Sequence, residues 1–168
     1  MENLIDVLTR TCDTYDGLLE LSRKKTPVII TGNLEELSRI TEEEQEYASR
    51  LQNLDRSREV AMKDIANVLN KKADTLTLTV LIQILSGRPG ERDALVAVRD
   101  RLQKVVYALR QVNEQNSELL KESIELVQVE MNLLQSMRTA PEMANYSRGA
   151  YNTGETMGVA RGNFDAKQ

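Results

Sequence analysis

The chain predicts an all-α fold, an elongated, segmented antiparallel coiled coil of up-and-down helices that ends in a flexible C-terminal tail. Three observations carry this. The stretch from Arg92 to Met137 holds no Gly and no Pro, and its apolar residues recur at alternating three- and four-residue steps. Hydrophobic residues make up 40% of the chain but aromatics only 4%, with no Trp, which suits seams of Leu, Val, Ile and Ala better than a globular α/β core. The segment with strand-like alternation, Thr75 to Val80, has no second strand to pair with.

The first helix is expected from about Glu2 to Lys25. Ile5, Leu8, Cys12, Tyr15 and Leu19 set its stripe, widened by Leu4, Leu18 and Leu21. Pro27 disfavours helix at Thr26. Val28-Ile29-Ile30 then has two readings, a last helical turn or an extended link. Asn33 is a good N-cap, and Glu36 is spaced to reach back and complete a capping box.

The second helix follows on Leu37, Ile40, Tyr47, Leu51, Leu54, Ala61, Ile65 and Val68. Glu44 and Arg58 occupy seam positions. Either their stems lie along the groove with the charges in water, or they form a polar pair that sets register. Lys71-Lys72 mark the expected end, where cations complement the helix dipole. A short helix is expected next, capped by Asp74 or Thr75 and burying Leu78, Leu81, Ile82 and Leu85. Ser86-Gly87-Arg88-Pro89-Gly90 is a turn.

The long helix runs on Leu95, Val98, Leu102, Val105, Leu109 and Val112, and after Asn116 on Leu120, Ile124, Val127, Met131 and Leu134. At 1.5 Å per residue it spans roughly 70 Å. Asn116 falls on the seam. It either fixes register from a buried position or faces water at mid-bundle.

The domain reading is a helical coiled-coil region over 1–138 and a tail over 139–168. The tail holds Pro141 and four of the eight Gly, and it loses all hydrophobic period, so it is expected to be disordered in isolation. It nevertheless carries Tyr146, Tyr151 and Phe164, half of the aromatic residues. Aromatics in such a segment suit docking onto another protein.

Composition also narrows the chemistry. There is no His, which removes the commonest general base and metal ligand. Cys12 has the spacing of a core residue, so it reads as a buried thiol rather than a reactive one. Glu42, Glu43, Glu44 and Glu46 point different ways on a helix and read as an acidic face. Gly87 to Gly90 lacks the Lys and Ser/Thr of a phosphate loop. Net charge is −4, which offers no basic field for nucleic acid or anionic lipid. No signal peptide or membrane-spanning run is seen, so a cytoplasmic, non-enzymatic protein without a cofactor is expected.

Asn33-Leu34-Glu35-Glu36-Leu37-Ser38-Arg39-Ile40-Thr41-Glu42-Glu43-Glu44, followed by Leu51 and Leu54-Asp55-Arg56, resembles the second-helix pattern of the FlgN family of flagellar export chaperones. Val112 to Ile124, with two Asn three apart and a Leu pair, is similar to that family's long-helix signature. Tyr151-Asn152-Thr153-Gly154 and Phe164-Asp165-Ala166-Lys167 resemble its tail. The resemblance implies a chaperone that binds the C-terminal segments of hook-associated proteins, keeps them unassembled and delivers them to the flagellar type III export gate. It implies gate docking through a tail Tyr, matched by Tyr151, with Tyr146 as the alternative.

The candidate client surface is the C-terminal half of the long helix: Leu119, Leu120, Ile124, Val127, Met131, Leu134 and Met137. These residues form either a groove for a client helix or internal core. Spare apolar surface is also compatible with a homo-oligomer. A structural coiled-coil adaptor with no export role is the competing functional reading, and it leaves the aromatic tail unexplained.

Overall fold

The computed structural model describes residues 1–72 and 75–139. The chain falls into two units, Met1–Glu130 and Met131–Gln168. The elements are α1 (Glu2–Thr31), α2 (Leu34–Val68), α3 (Leu78–Ile84), a 3-10 turn over Leu85–Gly87, and α4 (Pro89–Thr139). Among the described residues there is no strand, so the all-α reading holds and Leu76 to Val80 does not pair as β-structure.

α1 runs past its expected end. Pro27 lies inside the helix rather than stopping it, and Val28-Ile29-Ile30 form the last turn. Ile29 is buried there, so packing opposes the local preference set by the proline. The stop comes at Gly32, with φ 67°, the left-handed conformation that glycine adopts without a Cβ clash. Gly32 N–H donates to Ile29 O and Asn33 N–H to Val28 O, the paired bonds of a Schellman cap. Asn33 then caps α2 by accepting from Glu36 N at 3.1 Å. The reciprocal half of the expected capping box is missing, because Asn33 N–H is already used and the Glu36 carboxylate binds Arg39.

α2 packs antiparallel to α1. Lys25 pairs with Glu44 at 2.6 Å near one end, and Leu4 and Leu8 share a cluster with Ala61, Met62 and Ala66 near the other. Between them the Tyr47 ring lies against the backbone of α1. It fits because residue 17 is glycine; a Cβ there would sit 2.7 Å from Tyr47 Oη. Glu44 is therefore a paired seam residue, as the polar-pair reading has it, whereas Arg58 makes a surface pair with Asp55. α2 ends at Val68, short of Lys71, because Asn70 turns left-handed (φ 53°) and Lys71 N–H closes back on Ala66 O. That places Val68 in solvent instead of on the seam; Met62 and Ala66 take the buried positions.

α3 is capped by Thr77, which accepts from Val80 N. Thr75 instead donates its hydroxyl to Lys72 O, and Asp74 lies outside the described residues. Leu81 and Leu85 are buried, with Leu78 and Ile82 packed beside them. α4 begins three residues earlier than expected, with Pro89 in the first turn, where a missing N–H costs no helix bond.

α4 runs parallel to α1. Cys12 Sγ meets Val98 O, Arg101 bridges Asp13 and Asp16 at 2.7 and 2.6 Å, and Asn116 meets Ser22 and Thr26, all in the same order along both helices. α1 thus packs against both α2 and α4, and all three meet in one cluster at the base. The core is fullest at the base, where Leu4, Leu8, Ala61, Met62, Leu81 and Leu95 come together. A smaller cluster of Leu19, Val105 and Leu109 continues it upward.

Candidate functional site

The site starts from a polar lock. Asn116 is 4% exposed, which settles the choice between a buried and a water-facing residue. Its amide Nδ2 donates to Ser22 O at 2.8 Å, and Thr26 Oγ1 donates to its Oδ1 at 2.7 Å. A buried amide satisfied at both ends holds one axial offset between α1 and α4, since sliding either helix leaves it unpaired. Beside it the Ser22 hydroxyl is buried with no partner among the described residues.

The offset decides how far α1 accompanies α4. Asn116 follows Thr26 by 90 positions. Its other partner, Ser22, precedes it by 94, so carried forward the two bonds place Thr31, the last residue of α1, level with the turn between Lys121 and Glu125. From there to Glu130 the side chains of α4 are largely exposed, the α1–α2 hairpin having turned back at Gly32. Burial follows the geometry. Leu95, Val105 and Leu109 are buried, Leu119 and Leu120 are half-buried, and Ile124 and Val127 are 64% and 54% exposed. In the second unit the described residues are the end of α4, where Met131, Leu134 and Met137 are also exposed.

The residues singled out from periodicity therefore separate into two groups: Leu119 and Leu120 at the edge of the packed region, the other five in solvent. The alternative in which all of them are internal core does not hold for this chain. Tyr151 and Tyr146 lie outside the described residues.

Leu126, Val129 and Leu133, outside the periodic set, are as exposed as its five solvent-facing members. A signal for two of them was available. Val105, Val112, Leu119, Leu126 and Leu133 repeat at seven-residue intervals, so the original seam never stops. A second beat begins one residue later, at Leu120, and overlies the first.

Cys12 is buried, and burial pushes its thiol pKa up, partly countered by the Arg101 charge. That is the environment of a core residue, as its spacing suggested. Among the described residues no group of three or more Asp, Glu, Cys or His side chains is placed to hold a metal ion. No described helix is long and apolar enough to cross a membrane. What this region offers is uncovered apolar helix.

The profile of the FlgN protein family matches residues 1–153. The chain is also similar to the uncharacterized protein YvyG of Bacillus subtilis (strain 168), at 28% identity over 131 residues, 78% of each chain. No solved structure matches. With nine-tenths of its length aligned to that profile, and with the helix order the resemblance implied, the chain belongs to the FlgN family, a family of flagellar export chaperones.

Proposed function

We propose that this chain is a cytoplasmic chaperone that binds the C-terminal segments of hook-associated proteins, holds them apart until export and delivers them to the flagellar export gate. Membership of the family carries the coarser role, export chaperone, which is a binding activity rather than a catalytic one. The single observation behind the finer reading is the bare apolar surface of α4 past the end of the α1–α2 hairpin. Ile124, Leu126, Val127 and Val129 are each more than half exposed there. Apolar side chains left in water on a helix are suited to an amphipathic helix of an unassembled client.

Gate docking is assigned to Tyr151, with Tyr146 as second choice, on the likeness of the tail motif alone. In this reading the tail and the helix do separate tasks. The test is co-purification of the full chain with a hook-associated protein, followed by Ile124→Asp with Val127→Asp, and separately by Tyr151→Ala. The paired Asp variant is expected to lose at least tenfold in client affinity. Tyr151→Ala is expected to keep the client and weaken capture of the gate. A full chain that retains only copies of itself, and no hook-associated protein, supports the structural adaptor instead.

A further inference from the structure

Two apolar seams run from the edge of the packed region into the exposed part of α4. The first continues the seam that packs against α1: Val105, Val112, then Leu119 and Leu126 at the same seven-residue spacing. The second is offset by one residue: Leu120, Ile124 and Val127. One residue on an α-helix is a rotation of about 100°. Just below, the second seam is interrupted: the matching positions Arg110, Asn113 and Ser117 are all exposed and polar. It resumes close to the level where α1 ends. A helix with one seam needs one partner helix. Two seams about a quarter-turn apart are what a helix presents when it packs with two neighbours at once.

Charge indicates what kind of neighbour fits the first seam. Glu118, Glu122 and Glu125 run beside Leu119 and Leu126 at three- and four-residue steps. Across residues 114–130 the only cation is Lys121, against Glu114, Glu118, Glu122, Glu125 and Glu130. A second copy of this chain would bring carboxylate rows together, so self-association is disfavoured on this face. A helix flanked by Lys or Arg is favoured.

We infer that the free stretch of α4 takes two helical segments of one client together, a basic-flanked helix on the Leu119–Leu126 seam and a second helix on the Leu120–Ile124–Val127 seam. This deepens the chaperone reading and rests on it. A client held this way is presented as a paired unit rather than a single extended helix, and each seam covers apolar surface that the other leaves bare.

The test places a photo-crosslinking residue at position 126 or at position 127 in the full chain, co-expressed with a hook-associated protein. Capture of two client segments distant from one another in the client sequence, one from each position, is the expected result. The triple variant Glu118→Lys, Glu122→Lys, Glu125→Lys is expected to reduce capture at position 126 at least tenfold and leave capture at position 127 within twofold. Capture of one and the same client segment from both positions, capture from one position only, or a charge reversal that affects both positions alike would overturn the two-helix inference while leaving the chaperone reading in place. Capture of this chain by itself, or no client capture from either position, would overturn both.

Discussion

Asn116 shows how much one side chain decides here. Leu at that seam position would bury more apolar area, yet only the amide answers both Ser22 O and the Thr26 hydroxyl. Asn116→Ala is expected to lower unfolding free energy by about 1–3 kcal/mol in urea titration, because it leaves buried polar groups unmatched. Its neighbour behaves oppositely. Ser22→Ala removes a buried hydroxyl that has no partner among the described residues, and is expected to raise stability by about 1 kcal/mol. Cys12 gives a pH signature. Burial raises its thiol pKa in the folded state, so between the ordinary thiol range and that raised value the unfolded chain has released a proton that the folded chain keeps. The stabilising contribution is complete below the ordinary range and is lost as pH rises through the interval above it. A thiol reagent at neutral pH is expected to label Cys12 only after denaturant is added; rapid labelling of the native chain would contradict its burial. Seam spacing made Cys12 legible as core. It left Asn116 ambiguous, because the partners that satisfy it lie about ninety residues away.

At the scale of elements, the informative mismatch is α1. Pro27 argues locally for a stop near Lys25, but the helix continues through it to Thr31. The proline deprives Arg23 O of its helical donor, and burial of Ile29 together with the Gly32 cap offsets the loss. Pro27→Ala is expected to stabilise the chain by about 1–3 kcal/mol, read as a higher urea midpoint without a change in slope. The remaining boundaries shifted for similar reasons: Asn70 shortens α2, and Thr77 rather than Asp74 or Thr75 caps α3. The three long helices and their order were plain from periodicity, since three- and four-residue steps are local, whereas α3 was read from the lack of a second strand to pair with its alternating residues. The helix ends were less plain, because each depends on which backbone groups and apolar side chains a neighbouring element claims.

For the whole molecule, the proposed client site turns on the stretch of α4 between Lys121 and Glu130, whose apolar side chains are exposed. If the stretch past Lys121 is binding surface and not core, loss of its apolar side chains should spare the fold. Ile124→Asp with Val127→Asp is expected to move the melting temperature by less than about 2 °C. Leu95→Ala, in the fully buried base cluster, is expected to cost about 2–5 kcal/mol. Similar destabilisation by both changes would show that the stretch is packed in solution. Such a result would remove the ground for a client site.

Composition and periodicity alone determined that this chain is helical and that it carries one very long amphipathic helix. Those properties are written in spacings of a few residues, which the backbone reads without reference to distant parts. Which half of the long helix is covered is a different kind of property. It depends on where α1 stops and on the offset at which Asn116 locks α1 to α4, and neither is encoded within any one helix. The same spacing of Leu and Val makes core at Val105 and Leu109 and open surface at Ile124 and Val127, because burial depends on the partner as much as on the residue.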